Sequence, residues 1–151
     1  LRGNDTILNT TFTNFTDETV TAGNAYVYKV RALDASSRAS SYGTPDVATT
    51  IFFTNDPFVA GTTTIQATHV TELRQAVNAV RAAAGMGAFS FTDASLAGVS
   101  VKTTHVDQLR TALTAARATL GLTTLSFTDP ALSAGMLIKA AHFQELRAGV
   151  K

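Results

Sequence analysis

One ten-residue stretch occurs three times and sets what this chain can become. It reads Ile65-Gln66-Ala67-Thr68-His69-Val70-Thr71-Glu72-Leu73-Arg74 first, and returns as Val101-Lys102-Thr103-Thr104-His105-Val106-Asp107-Gln108-Leu109-Arg110. The third copy is Ile138-Lys139-Ala140-Ala141-His142-Phe143-Gln144-Glu145-Leu146-Arg147. The histidines lie 36 and 37 residues apart, a period that marks repeated supersecondary units. Such a unit cannot bury its own apolar face, so its neighbours must cover it.

The spacing around each copy is helical. Val70, Leu73, Val77, Val80 and Ala84 step by three and four along one stripe, and Val106, Leu109, Leu113, Ala116 and Leu120 repeat it. Phe143, Leu146 and Val150 begin a third stripe. Gly85 and Gly121 sit just past two helices, where a left-handed C-cap is expected. Arg81 and Arg117 fall in the last turns, where cations suit the helix dipole. Thr68 and Thr104 are the expected N-caps, while Ala141 in the third copy points to a cap elsewhere.

A second shared element joins the helices. Phe91-Thr92-Asp93-Ala94-Ser95-Leu96 matches Phe127-Thr128-Asp129-Pro130-Ala131-Leu132, and Phe53-Thr54-Asn55-Asp56-Pro57-Phe58 is an earlier version. Asp followed by Pro or a small residue predicts an N-cap and the first position of a short helical turn. Gly61, Gly98 and Gly135 follow, each before the next Ile or Val. The units run over about residues 53–88, 89–124 and 125–151, with Phe89, Phe91, Leu125 and Phe127 filling between helices. The expected assembly is an open stack that continues beyond the chain or is completed by a partner.

The first third carries strand signals. Thr6-Ile7-Leu8 and Thr11-Phe12 are short extended candidates, and Tyr26 to Ala32 is the clearest strand. In it Tyr26, Tyr28, Val30 and Ala32 share one face, opposite Val27, Lys29 and Arg31. Thr21 to Asn24 is a tight turn, Asp34 to Pro45 a Ser- and Gly-bearing loop, and Val47 to Ile51 a last strand. The run Val20 to Ala32, with Asp34 and Ser40-Ser41, resembles the end of a fibronectin type III domain. Val20, Tyr26, Val30 and Ala32 match its corner and its Y-x-x-x-V-x-A strand. That resemblance implies the C-terminal strands of a β-sandwich, the remaining strands coming from upstream sequence or from a neighbouring subunit.

The repeat in turn resembles a C-terminal module of secreted multidomain bacterial proteins, in which fibronectin type III domains precede an I-K-A-x-H-x-x-E-L-R repeat; the match is closest at Ile138 to Arg147. Surface-layer homology domains, with an F-x-D turn before a strand and helix, are a looser analogy. The expected fold class is α+β multidomain: a partial fibronectin type III-like β-sandwich over residues 1–51, then a small all-α repeat domain over residues 52–151.

Composition bears on partners. Only 15% of residues are charged and the net charge is +1, without the basic face of a nucleic-acid binder. There is no cysteine, hence no disulfide or thiolate. No apolar run is long enough for membrane insertion as a spanning helix. The chain opens on Leu1 rather than Met and is read as a piece of a longer polypeptide.

Three equivalent histidines invite a metal reading. Zinc needs three or four ligands converging on one point, whereas these lie one per unit, so each is expected to pack within its unit. Arg74, Arg110 and Arg147 could bind an acidic polymer as a ladder. The favoured expectation pairs them with the turn carboxylates Asp56, Asp93 and Asp129. Single acids per turn do not make a calcium loop. No nucleophile elbow, P-loop, dinucleotide fingerprint or zinc-protease motif is present. The reading therefore assigns no catalytic, metal or cofactor residues. It names His69, Leu73, Arg74, His105, Leu109, Arg110, His142, Leu146 and Arg147 as candidates for contacts between units. N-x-T sequons stand at Asn4, Asn9 and Asn14.

Taken together, the residues and the resemblance imply a non-enzymatic, extracellular structural module of a bacterial surface or secreted fibre-like protein. Its role would be adhesion, spacing or self-assembly, with copies of itself or upstream domains as partners. The alternative is a module anchoring a larger secreted enzyme or adhesin to cell-surface polysaccharide or cell wall. That alternative needs an exposed aromatic platform, for which Tyr42, Phe52 and Phe58 are the candidates.

Overall fold

A computed structural model describes residues 9–59 and 61–151. The expected strand at Thr6-Ile7-Leu8 and the sequon at Asn4 lie outside these residues. The order of elements is β1 (Ala25–Tyr28), β2 (Asp46–Thr49), α1 (Ala67–Ala83), α2 (Thr103–Thr119) and α3 (Ala140–Gly149).

The β-sandwich expectation is overturned. Among the described residues there is one sheet of two antiparallel strands, with Ala25 opposite Thr49 and Val27 opposite Val47. Thr11-Phe12 lies in a bend, and Tyr26 to Ala32 is regular only as far as Tyr28. The physical reason is where the apolar face of the hairpin goes. Val47 is buried in the same core as the helices, and Ala25 and Val27 pack against that core. The hairpin lies against α1, so a helix covers the face that a second sheet would cover in a sandwich. Val30, on the face opposite Val27, is 76% exposed. The molecule is a small α-rich fold with a β-hairpin appended to its first helix.

The helices form where their stripes require. Val70, Leu73, Ala76, Val77 and Val80 of α1 are buried, as are Val106, Leu109, Ala112, Leu113 and Ala116 of α2 and Phe143 and Leu146 of α3. Each large apolar side chain removed from water contributes roughly 1.5–3 kcal/mol before entropy is counted. Gly85 and Gly121 adopt φ of 70° and 68°. Behind them the Met86 and Leu122 amides donate to the Arg81 and Arg117 carbonyls at 2.8 and 3.0 Å, closing the ends as Schellman motifs.

The open-stack expectation is also overturned. All three pairs of helices touch, α1 with α2, α2 with α3, and α3 with α1. Gln144 of α3 donates to the Phe58 carbonyl at 2.8 Å, and Lys151 pairs with Asp56. The third unit turns back onto the first, and the three units form a ring.

Candidate functional site

The residues that recur in the sequence meet at the three F-T-D/N turns, and each turn is held from two sides. The local backbone explains why. Asn55, Asp93 and Asp129 all have φ near 50° (52°, 53° and 50°), a left-handed conformation that Asn and Asp tolerate best among residues with a side chain. That conformation turns the Thr and Asp carbonyls outward in pairs and brings the Asp side chain back toward its own helix. The aspartates therefore do not N-cap a short turn as expected. The residue equivalent to Asp93 and Asp129 is Asn55 rather than Asp56.

The first grip comes from the same unit. His69 Nδ1 accepts the Gln66 amide at 3.0 Å, His105 that of Lys102 at 3.2 Å, and His142 that of Lys139 at 3.3 Å. The expected caps Thr68 and Thr104 are instead inside the helices, whose N-caps are Gln66, Lys102 and Lys139. Each histidine thus does what Glu does in a capping box, binding the N-cap amide from three residues on. Because a backbone amide can only donate, Nδ1 must be the bare nitrogen, and Nε2 carries the ring proton. That proton goes to Asn55 Oδ1 at 3.1 Å, Asp93 Oδ2 at 3.0 Å and Asp129 Oδ2 at 3.1 Å respectively. Three residues beyond each histidine, on the same helix face, Glu72 accepts the Thr54 amide at 3.0 Å, Gln108 the Thr92 amide at 3.0 Å, and Glu145 the Thr128 amide at 2.8 Å.

The second grip comes from the preceding unit. Arg74 donates to the Asp93 and Thr92 carbonyls at 2.8 and 2.7 Å, and Arg110 to the Asp129 and Thr128 carbonyls at 2.8 Å each. Arg147 makes the equivalent bonds to Asn55 and Thr54 of the first unit, at 2.8 and 2.7 Å. The guanidinium fork suits two parallel acceptors. Each rests on the phenylalanine that opens the turn, with centroid distances of 4.9 Å to Phe91, 4.5 Å to Phe127 and 4.8 Å to Phe53. Of the expected pairings with Asp56, Asp93 and Asp129 carboxylates, that of Arg147 with Asp56 is present at 3.7 Å, while Arg74 and Arg110 bind the carbonyls of Asp93 and Asp129 in place of their carboxylates. Carboxylates stand farther off, Glu145 at 3.5 Å from Arg110, and Glu72 and Asp56 at 3.6 and 3.7 Å from Arg147. The Nε atoms of all three arginines are buried without a hydrogen bond, so only the terminal nitrogens of each fork are engaged.

Charge differs between the units. Lys102 and Lys139 reach Asp93 and Asp129 at 3.1 and 2.6 Å, whereas the first unit has Gln66 and Asn55 in these places. A charged pair is replaced as a pair by two neutral amides. The His105 and Lys102 hydrogen bonds hold the Asp93 carboxyl below its usual pKa, and those of Lys139 and His142 do the same for Asp129. Burial pushes His69 below the usual imidazole value, the Arg147 charge adds to this, and Glu72 opposes it.

Of the residues singled out from sequence, the three histidines and three arginines meet at the turns. Leu73, Leu109 and Leu146 are fully buried in the shared core. Sequence reasoning missed the carbonyl pairs, the Phe beneath each guanidinium, and Glu72, Gln108 and Glu145. The aligned F-T-D/N triplets were the signal for the first two. Arg81 and Arg117 also have defined partners. They donate to the Gly87 and Thr123 carbonyls at 2.9 Å, six residues on, and so tie down the segments that leave α1 and α2.

A depression of about 750 Å³ is bordered by Ile65, Val101 and Ile138, the equivalent lead-in residues of the three units, with Leu137 beside them. Lys102, the one titratable group on its rim, is paired with Asp93. Among the described residues no cluster of three His, Cys, Asp or Glu is placed to hold a metal, and no helix is long and apolar enough to cross a membrane.

No protein-family model, curated protein or solved structure matches the chain.

Proposed function

We propose that this chain is a non-enzymatic structural module of a bacterial surface or secreted protein, acting as a rigid spacer between the domains or copies it joins. The observation that carries the reading is the closed circuit at the turns. The recurring histidines and arginines, the residues best suited to chemistry, each have defined partners inside the ring. A buried side chain whose hydrogen bonds are satisfied within the fold adds rigidity. The likeness of Ile138 to Arg147 to the repeat of secreted multidomain proteins supports an extracellular setting. The hairpin supports association with further chain: among the described residues each strand has one strand neighbour, leaving an outer edge on both.

The test is to raise an antibody against the purified chain, locate the native polypeptide in the source cells, and measure its mass after denaturation. Recovery from the medium or cell surface, as part of a larger chain or a multimer that withstands protease, is the expected result. Recovery only from the cytoplasm, as a monomer of about 15.8 kDa, would overturn the proposal.

A further inference from the structure

Away from the ring, the irregular continuation of the hairpin forms one wall of a cleft of about 1050 Å³. Its scaffold is ordered by main-chain bonds: the Gly43 amide donates to the Val30 carbonyl and the Ser40 amide to the Ala32 carbonyl, both at 2.9 Å. Leu33 and Ala39 form a bridge. On this scaffold the Arg31 guanidinium lies 4.7 Å from the centre of the Tyr42 ring. Arg38 neutralises Asp34, its Nε at 2.8 Å from Oδ2, so the acid on the rim is already paired. Among the described residues the other arginines hydrogen-bond to backbone carbonyls or, for Arg38, to Asp34. Arg31 differs in having a ring contact and no engaged donor among those residues. Phe12 also lines the cleft with a ring that is 79% exposed, and Thr11 and Ser37 supply hydroxyls.

We propose that this cleft binds a carboxylate-bearing polysaccharide. The flat apolar faces of Phe12 and Tyr42 match the C–H face of a pyranose, the same amphipathic use of an aromatic ring that serves other binding surfaces. The Arg31 fork matches the sugar carboxylate. Among the described residues the hydroxyl-bearing rim favours a sugar over an acidic peptide, which would need more than the one guanidinium of Arg31. This assignment goes beyond the spacer role and does not depend on it, because none of these side chains takes part in the ring.

The experiment is native affinity electrophoresis of the whole chain through gels containing polygalacturonate, dextran or polyglutamate, in parallel with the Arg31→Gln and Phe12→Ala variants. Polygalacturonate should retard the protein, dextran and polyglutamate should not, and each substitution should weaken the retardation about tenfold, the scale of one charged hydrogen bond for Arg31 and of one aromatic contact for Phe12. Far-UV circular dichroism and melting curves must match the parent chain, which is expected since Arg31 makes no hydrogen bond among the described residues and Phe12 is exposed. Absence of retardation by polygalacturonate overturns the assignment. So does equal retardation by polyglutamate, which would mean charge alone, or retention of full affinity by Arg31→Gln.

Discussion

Arg147 distinguishes a closed ring from an open stack. In a linear array the arginine of the last unit has no following turn, faces water and can be replaced with a change within about 0.5 kcal/mol. Here its side chain is 2% exposed, donates two charge-assisted bonds to the Thr54 and Asn55 carbonyls, and lies between the Phe53 and Phe58 rings. Arg147→Met keeps much of the apolar stem but removes the fork. Two such bonds are worth about 1.5–3 kcal/mol each in isolation. The loss also strips Glu72 and Asp56 of their buried counter-charge, and one-sided removal of a buried cation typically costs about 3–5 kcal/mol. Since these terms overlap, the expected loss is about 3–5 kcal/mol.

The assay is urea unfolding followed by helical circular dichroism for the parent chain and for Arg74→Met, Arg110→Met and Arg147→Met. With an m-value of about 2 kcal/mol per M, the Arg147 variant should lose about 2 M in midpoint, close to the loss in the other two. A domain of this size has only about 5–15 kcal/mol in total, so Arg147→Lys serves as the milder form. It keeps the charge and loses the bidentate geometry. The decisive outcome is the ranking. If Arg147→Met costs under about 1 kcal/mol while Arg110→Met costs its full amount, the ring is not closed and the reasoning fails.

Three further perturbations probe the same circuit. Stability should fall on acidification in two stages. His69 has a folded pKa below its unfolded value, so its contribution is complete above about pH 6.5 and is lost as pH drops below that; Asp93 and Asp129, also lowered, add a second loss below about pH 4. Urea midpoints from about pH 8 to about pH 3 test this, and a midpoint that stays level or rises between about pH 7 and pH 5 refutes the His69 part. Asn55→Asp should raise the His69 pKa in an NMR titration, because a carboxylate would then accept the Nε2 proton as it does from His105 and His142; an unchanged pKa would mean the imidazole does not face position 55. Gly149→Ala would place a Cβ 2.6 Å from Leu125 Cδ1 and 2.9 Å from Leu113 Cδ2. The helix-propensity gain of about 1 kcal/mol should be outweighed by an overpacking cost of about 1–3 kcal/mol, and a stabilised variant by thermal melt would show that α3 does not seat against α2 there.

Much of the helical part was legible because it depends on local rules. The apolar steps from Val70 to Val80 and from Val106 to Ala116 can form only one stripe on a helix, and Gly85 and Gly121 end the helices where a left-handed residue is needed. The sheet was misjudged because alternation in Tyr26 to Ala32 reports two faces and not what covers either. Whether Val27 and Val47 meet a second sheet or α1 is a tertiary matter, decided by an element about 40 residues downstream of Val27 in the chain. The aromatic candidates divide for the same reason. Phe58 is buried against Phe143 and His69, while Phe52 and Tyr42 stay exposed, and no local pattern separates them.

Closure was hidden more deeply, since a period of 36 or 37 residues fixes no rotation between units. Yet an accounting of donors and acceptors favours the ring. From residue 53 onward the chain holds three F-T-D/N turns and three arginines at the end of the signature, in the alternating order turn, helix, turn, helix, turn, helix. A linear stack satisfies two of the three pairings; the Thr54 and Asn55 carbonyls then lack their arginine, and Arg147 lacks its carbonyls. A ring satisfies all three with the same geometry. The gain is one further pair of charge-assisted bonds, the burial of Phe53 under a guanidinium, and the covering of Phe58, Phe143 and Val150. The first unit shows the adaptation this requires. Its turn receives Arg147 and contains Asp56, which Lys151 reaches, so that charge at this junction comes from the far end of the third unit rather than from a lysine at position 66. Asn55 and Gln66, the neutral substitutes in the first copy, look like degeneracy when the repeats are aligned. In the folded ring they mark the junction where the third unit meets the first.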